Sequence, residues 1–362
     1  MKAKLGSSHQ QELTAALAEA LADVRQATFI LVQTTLGDLK QVATYLQTNF
    51  PGAASLATSG QSYLATGAGQ TLVAVAFEAG VAVETGVLTK LATAPLRDLY
   101  TLEQKLQAIK PNQQNTICLE YCTNDEEVTV SSMNVALEKY GVTLLGGSVF
   151  DEQKCTGEVL VDGQVYQDAC GFALIKNLDG KINTYSENIY EPVSNASRHI
   201  ATKVDLKTKT LVELDNQPAA EVYSQETGLP AQQIIENVLN QPLGRLVGDN
   251  YYIFSMHELA VNGALVNYKR VNKNDTVAIL QLADYQTINR QTLERIKRDN
   301  PRPELILSFN CIFRHQLFQK EGYLPTYLRQ MGTLGPYLGY VCGGEQYGKQ
   351  HVNQTMICAV FE

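Results

Sequence analysis

The stretch LILSFNCIFRH, from Leu305 to His315, begins as an apolar, β-rich run and ends in polar residues. An apolar run of this length predicts a buried strand. Asn310, Cys311 and Arg314 follow close together at its end. A cysteine near a histidine and an arginine is compatible with a nucleophile, a pocket-lining thiol or an inert buried side chain. The stretch therefore predicts a strand whose end is a candidate site.

Two earlier segments, which begin TFILVQTT and NTICLEYCTN, follow the same order of patterns. Each of the three has a strand-like run, apolar positions at helical spacing, a short strand and a closing apolar strand. In the first segment Leu39, Val42, Ala43 and Leu46 fall on one helical face. The short strands end in Ser59-Gly60, Gly146-Gly147-Ser148 and Gly343-Gly344-Glu345. The order predicts a repeated β-α-β-β unit, and chance similarity of generic α/β segments is the alternative.

The stretch from Thr210 to Asp284 reads as a fourth, degenerate copy. We therefore predict an α+β, α/β-like fold in which repeated β-α-β-β units form two pseudo-symmetric mixed-sheet halves flanked by helices. Residues 1–24 are expected to hold an N-terminal helix, residues 25–192 one domain and residues 193–362 a second. The boundary is placed here because Pro192 interrupts regular structure.

The overall composition excludes several classes of partner. The net charge is −8, and no long cluster of Lys and Arg occurs, so a nucleic-acid partner is not expected. No window approaches the length of apolar sequence that spans a membrane.

Seven cysteines and no CxxC pair, with five scattered histidines, give no zinc signature. The odd number of cysteines and the lack of a signal-peptide pattern favour reduced thiols and a cytoplasmic location. We predict neither a metal nor a cofactor.

Several motifs together resemble the FIST family, the F-box and intracellular signal transduction domain. They are LLGGSVFDEQKCTGEVLVDGQVYQDACGFALI, the ELDNQPAAEVY core of a joining passage, SFNCIFRH, and GYVCGGEQYGKQHVNQT. The resemblance extends from about residue 25 to Glu362, with a FIST N-like part followed by a FIST C-like part. It implies a sensory module that binds a small ligand, such as an amino acid or related metabolite. We expect a stand-alone module without its own output domain, which acts through a separate signalling protein.

The residues at the ends of the repeated strands are the candidate ligand site. Arg314 and Glu345 are predicted either to form a structural ion pair or to hold the carboxylate and amino groups of an amino-acid-like ligand. Asn353 is either a turn-stabilising residue or a further ligand contact. The predicted ligand-binding set is Asn310, Cys311, Arg314, Glu345, Asn353, Gly146, Gly147 and Ser148.

The alternative function is a cysteine-dependent hydrolase or acyl transferase. In it Cys311 attacks the substrate, and the amides of Gly343 and Gly344 stabilise the oxyanion. A binding module is the leading interpretation, because one bidentate charged contact with modest apolar burial accounts for micromolar affinity without any chemistry.

Overall fold

The computed structural model describes residues 1–149, 157–193 and 197–362, so Cys155 and the residues 194–196 that follow the predicted domain boundary lie outside the described residues. Contacts divide the chain into two compact units. The first unit comprises Met1–Ser186, Gln291–His351 and Met356–Glu362, and the second comprises Glu187–Arg290 and Val352–Thr355. The division into two domains at residue 192 stays a prediction.

The strands differ in length and are numbered in chain order. In the first part of the chain they are β1 (Lys2–Ser8), β2 (Phe29–Thr34), β3 (Ala54–Ser59), β4 (Ser62–Leu64), β5 (Leu72–Ala79), β6 (Val81–Thr89), β7 (Thr116–Cys122), β8 (Thr143–Ser148), β9 (Val159–Val161), β10 (Gln164–Tyr166), β11 (Ala169–Asn177) and β12 (Ile182–Glu187). The middle part contains β13 (Tyr190–Pro192), β14 (His199–Asp205), β15 (Thr210–Leu214), β16 (Gln217–Pro218), β17 (Leu243–Val247), β18 (Asn250–Phe254), β19 (Met256–Leu259), β20 (Leu265–Asn267) and β21 (Thr276–Leu282). The last part contains β22 (Leu305–Cys311), β23 (Tyr337–Cys342), β24 (Glu345–Tyr347), β25 (Gln350–Val352) and β26 (Met356–Phe361).

The α-helices are numbered in the same way. They are α1 (Leu13–Ala20), α2 (Leu39–Asn49), α3 (Leu99–Ile109), α4 (Glu126–Leu137), α5 (Ala219–Thr227), α6 (Tyr285–Asp299), α7 (Ile312–Lys320) and α8 (Leu324–Gly332). Residues 1–24 thus hold the strand β1 as well as the helix α1. None of the helices among the described residues combines the length and apolar character needed to cross a bilayer.

The three segments identified in the sequence form sheets of the same topology within the first unit. In the first segment β2 pairs in parallel with β3 and antiparallel with β5. The strands β7, β8 and β11 of the second segment repeat this arrangement. The strands β22, β23 and β26 of the third segment repeat it again. The predicted α+β class, with mixed sheets flanked by helices, is confirmed.

Each of these sheets is extended by strands from another segment. The sheet of the first segment gains β9 and β10 beside β3, and the sheet of the second gains β24 and β25 beside β8. The sheet of the third segment gains β4 beside β23. Each added strand comes from the loop between the short strand and the closing strand of another segment. The three sheets are therefore joined by exchanged strands.

The exchanged strands bring the inward faces of the three sheets into one apolar core. Phe29 and Leu31 of the first sheet, Leu119 of the second and Leu307 and Phe309 of the third belong to the same buried cluster. Helices cover the opposite faces: α1 and α2 pack on the first sheet, and α3 and α4 pack on the second. The strand β22 is buried along its whole length, including its polar residues Ser308 and Asn310.

The helix α2 shows how local sequence sets an element of this fold. The side chain of Asp38 accepts hydrogen bonds from the backbone N–H groups of Lys40 and Gln41, at 3.1 and 3.2 Å, and so caps the first turn. The predicted apolar face of Leu39, Val42, Ala43 and Leu46 is buried, which confirms that prediction.

The second unit contains the residues that were expected to form a fourth copy, and it has a different topology. Its sheet has the strand order β18-β17-β21-β14-β15-β20-β19, with β13 beside β21 and β16 beside β15. These strand pairs are antiparallel, without the parallel β-α-β crossover of the three segments. The prediction of a fourth copy is wrong, because the apolar spacing of a hairpin-rich antiparallel sheet resembles that of a degenerate β-α-β-β segment.

Candidate functional site

A cavity of about 850 Å³ lies in the first unit, where strands of the first and third sheets end. We call it the edge cavity. Functional sites of α/β proteins commonly lie at the carboxyl ends of parallel strands, where loops leave the sheet. Its lining comprises Thr35, Leu36, Gly37, Asp38, Leu39, Lys40, Ser59, Gly60, Gln61, Ala68, Gly69, Gln70, Thr71, Glu158, Ile312 and Val341.

The turn after β3 forms part of the cavity wall and contacts the third sheet. The hydroxyl of Tyr340 donates a hydrogen bond to the carbonyl oxygen of Ser59 at 2.6 Å. Gly60 has a φ of +136°, and a Cβ atom at this position would lie 2.6 Å from that hydroxyl oxygen. The backbone N–H of Val341 then donates to the carbonyl of Gln61 at 2.9 Å. Only glycine fits at position 60, for reasons of both conformation and space.

The wall of the edge cavity is polar. Ser59 and Gln70 line it and are 5% and 7% exposed, and neither Ser59 Oγ nor Gln70 Oε1 has a hydrogen-bond partner among the described residues. Buried polar atoms without a partner are uncommon, because their desolvation is costly. Lys40 adds one positive group to the lining, and Asp38 and Glu158 add two negative groups. The cavity thus offers hydrogen-bonding groups and both signs of charge.

The residues predicted from the end of β22 form a second, closed region beside this cavity. Asn310, Cys311 and Arg314 are each 1% exposed. The guanidinium carbon of Arg314 lies 4.6 Å from the ring centroid of Phe318 and 5.3 Å from that of Tyr327. Such stacking of a cation on aromatic faces is attractive, and more so when water is excluded.

Asn310 belongs to the same region through its amide group. The hydroxyl of Tyr327 donates to Asn310 Oδ1 at 3.0 Å, and Asn310 Nδ2 donates to Ser308 Oγ at 3.0 Å. The oxygen of Ser308 lies 2.8 Å from the hydroxyl oxygen of Tyr337. The amide is therefore held by side chains of the third sheet and of α8. We call the set Asn310, Cys311, Arg314, Phe318 and Tyr327 the closed cluster.

Glu345 lies within electrostatic range of Cys342, the neighbour of Cys311 on the adjacent strand. Burial raises the pKa of Cys342 well above its ordinary value, and the charge of Glu345 and the thiol of Cys311 raise it further. Burial likewise raises the pKa of Tyr63, whereas the charge of Arg314 lowers it. Cys311 and Cys342 are direct neighbours in the parallel register of β22 and β23. The ligand roles predicted for Arg314 and Glu345 stay predictions, and both side chains are buried, at 1% and 0% exposure.

The glycines predicted for the second segment lie inside a strand. Gly146 and Gly147 belong to β8, where they pair with β24. A Cβ at position 147 would lie 2.7 Å from atoms of both Cys342 and Phe309. Glycine is therefore required here for close packing between sheets, and neither glycine lines the edge cavity. Ser148 lies at the end of β8, and its Oγ accepts a hydrogen bond from Gln346 at 3.1 Å.

Asn353 lies in the second unit. Its Oδ1 accepts a hydrogen bond from the backbone N–H of Ser255 at 3.1 Å, and its own N–H donates to the carbonyl of Ile253 at 3.2 Å. These bonds tie the chain around Asn353 to the end of β18. The predicted contact of Asn353 with a ligand stays a prediction.

The enzymatic alternative gains little from this geometry. Cys311 is the N-cap residue of α7 and is 1% exposed. The backbone N–H of Gly343, proposed as an oxyanion donor, donates instead to the carbonyl of Ser148 at 3.0 Å. An oxyanion site needs donors that point towards the substrate. The arrangement is that of a packed strand end.

None of the edge-cavity side chains belongs to a group with metal-ligand spacing among the residues that the structure describes. One such group, Glu120, Cys122 and Cys170, lies in the second sheet. Burial raises the pKa of Glu120 to about 8.

Sequence reasoning found the strand ends but missed most of the cavity lining. Ser59 and Gly60 were recognised as a strand end in the sequence. Gln70 lies in the loop between β4 and β5, and Glu158 lies immediately before β9; no motif marks either residue. The exchange of strands brings such loops to the edge of another sheet, and only the structure reveals that exchange.

Comparison with protein families gives two matches. The family described as the FIST N domain matches residues 26–217, and the one described as the FIST C domain matches residues 219–348. No curated protein matches the chain significantly. The two matches cover most of the chain and confirm the resemblance seen in its motifs.

Proposed function

Because this chain belongs to the FIST family, whose domains are generally sensory and signal-transduction modules, we propose that it binds a small amino-acid-like ligand in the edge cavity. The observation that supports this location best is the pair of buried side chains, Ser59 and Gln70, whose oxygen atoms have no partner among the described residues. A polar ligand that hydrogen-bonds to both would offset the cost of their burial.

The charges around the cavity support a zwitterionic ligand. Lys40 lies in the first turn of α2 and carries the one cationic side chain among the described lining residues; the N–H groups of Lys40 and Gln41 are already capped by Asp38. A ligand carboxylate is proposed to bind there. Glu158 is proposed to accept the ligand's amino group; one of its oxygens also accepts a hydrogen bond from Gln167 at 2.8 Å. In this arrangement each charged end of the ligand lies beside a side chain of the opposite charge.

The closed cluster and the edge cavity share neighbouring residues in the sequence. Ile312 and Val341 line the cavity, and they adjoin Cys311 and Cys342. We propose that ligand binding is transmitted to α7 through Ile312, so that the third segment reports on cavity occupancy to a separate signalling protein. Direct contact of the ligand with Arg314 and Glu345 remains the alternative arrangement within the same function.

A thermal-shift screen of the common amino acids and small dicarboxylates, followed by isothermal titration calorimetry, tests the proposal. We expect at least one compound to bind with micromolar Kd, which corresponds to about −8 kcal/mol. Gln70→Leu and Lys40→Ala should each weaken binding about tenfold, or by about 1.4 kcal/mol. Lys320→Ala is the matched control, because Lys320 is exposed and does not line the cavity.

The same titrations decide between the cavity and the closed cluster. If Arg314→Lys abolishes binding in a folded protein while Gln70→Leu and Lys40→Ala leave it unchanged, the ligand contacts the closed cluster instead. The absence of binding by every compound in the screen would contradict the amino-acid-like class.

A further inference from the structure

A compact group of metal-binding side chain types lies in the second sheet. Glu120 and Cys122 are on β7, and Cys170 is on the neighbouring strand β11. All three are 0% exposed. Their ligand atoms, two thiol sulfurs and a carboxylate oxygen, all lie within 4.8 Å of one another. None of the three lines the edge cavity.

The strand register explains why these side chains meet. Cys122 and Cys170 are direct partners in the antiparallel pair of β7 and β11. The next pair is hydrogen-bonded, because Thr123 N donates to the carbonyl of Ala169 at 3.0 Å. Cys122 and Cys170 therefore form a non-hydrogen-bonded pair, the arrangement in which opposite side chains are closest. Glu120 precedes Cys122 by two residues and so shares its face.

The distances suit a tetrahedral metal ion. Cys170 Sγ lies 3.3 Å from Glu120 Oε2, and Met133 Sδ lies 3.8 Å from Cys170 Sγ. Zinc bonds of about 2.3 Å to sulfur and about 2.0 Å to oxygen place neighbouring ligand atoms about 3.5 to 3.8 Å apart. The pairs Cys170–Glu120 and Cys170–Met133 are thus already close to the spacing around one ion.

The carboxyl group of Glu120 provides an independent indication of a ligand. Its Oε1 has no hydrogen-bond partner among the described residues, although the side chain is fully buried. Gly146 leaves the space that this group occupies, since a Cβ there would lie 2.3 Å from Glu120 Oε1. Cys122 and Cys170 belong to a buried, largely apolar cluster that also contains Leu106, Val130 and Leu137. A carboxyl oxygen in such surroundings is costly unless a partner satisfies it.

We propose that Glu120, Cys122 and Cys170 bind one zinc ion, with Met133 as the nearest further donor. The ion replaces the protons of the two thiols and the carboxyl, which leave to solvent, and no oxidation or reduction occurs. The Cys122 thiol, which otherwise donates to the carbonyl of Asn124 at 2.8 Å, then becomes a ligand. Since the site is fully buried, the zinc is structural and joins β7 to β11 during folding. This inference does not depend on the proposed sensory function.

The test is the metal content of the full chain after expression in zinc-supplemented medium. Inductively coupled plasma mass spectrometry should find about one zinc ion per chain in the wild type. Cys122→Ser/Cys170→Ser should lower this at least tenfold, and Glu120→Gln should lower it several-fold. Cys118→Ser is the matched control, because Cys118 is a buried cysteine on the same strand but outside the group.

A second measurement covers the case in which the double variant does not fold. Wild-type protein expressed with cobalt should show the intense near-ultraviolet absorption of thiolate-to-cobalt charge transfer, and Cys118→Ser should retain it. The proposal would be overturned if the wild type contains no zinc after expression with zinc and shows no such absorption after expression with cobalt. Zinc content that is unchanged in the folded Cys122→Ser/Cys170→Ser protein would overturn it as well.

Discussion

The first and third segments have the same strand topology, but their strand ends differ. The end of β2 and β3 in the first segment opens into a cavity of about 850 Å³ with polar walls. At the end of β22, aromatic rings and a buried guanidinium fill the space. The difference indicates that the topology provides equivalent edges, and that side-chain volume decides which edge has room for a ligand.

Among the substitutions that test this difference, Arg314→Ala should have the largest effect on stability. Arg314→Ala removes a buried, stacked guanidinium and leaves a hole, so we expect a loss of about 3 kcal/mol in the free energy of unfolding. Urea denaturation at 25 °C measures it. Lys40→Ala, at the open end, should change stability by no more than about 0.5 kcal/mol. Equal effects of the two substitutions would remove the distinction between a closed and an open end.

The turn at Gly60 tests whether the cavity wall depends on close contact with the third sheet. Gly60→Ala introduces a Cβ at a φ of +136° and against the Tyr340 hydroxyl, so we expect a loss of about 2 kcal/mol. Thermal and urea unfolding provide the measurement. Gly52→Ala is the control, because nothing lies within 4 Å of a Cβ there. A Gly60→Ala protein as stable as Gly52→Ala would show that the turn adapts freely.

Removal of the N-terminal cap of α2, at the open end, should have a smaller effect on stability. Asp38→Ala removes the acceptor for the N–H groups of Lys40 and Gln41, and a loss of about 1 kcal/mol is expected. In the third segment the N-cap residue of α7 is Cys311, which makes no side-chain cap bond. Cys311→Ala should therefore cost less through loss of capping than Asp38→Ala does. A loss below about 0.3 kcal/mol for Asp38→Ala would contradict the role of the cap.

The smallest effect is a pH dependence at the closed end. Burial lowers the pKa of His315, whose Nδ1 is hydrogen-bonded with the hydroxyl of Tyr63. Since its pKa is lower in the folded chain, the unfolded chain binds the proton more readily as the pH falls below about 6.5. Stability should therefore fall as the pH decreases through this range.

The control for this pH dependence is His315→Gln, which removes the titrating group. Urea midpoints measured from pH 7 to pH 5 should decrease less in this variant than in the wild type. An identical pH dependence in both proteins would show that other groups account for it.

Much of the first unit could be predicted from sequence because its signals are local. The apolar run of β22, the face of α2 and the order of strand, helix and strand depend on residues close together in the chain. The site was predicted only in part. Asn310, Cys311 and Arg314 are adjacent in sequence and do lie together.

The rest depends on contacts between distant residues that no short pattern records. Gly146 and Gly147 read as a turn, but they lie in a strand because neighbouring sheets approach closely there. Gln70 and Glu158 reach the cavity from loops whose position follows from strands exchanged between segments. The antiparallel sheet of the second unit was read as a fourth copy, since spaced apolar residues alone do not distinguish the two topologies.

A crystal structure of the protein grown with the amino acid that gives the largest thermal shift would locate the ligand. We expect ligand density in the edge cavity, within hydrogen-bond distance of Ser59 and Gln70 and with the carboxylate near Lys40. Density beside Arg314 and Glu345 with an empty edge cavity would contradict this expectation.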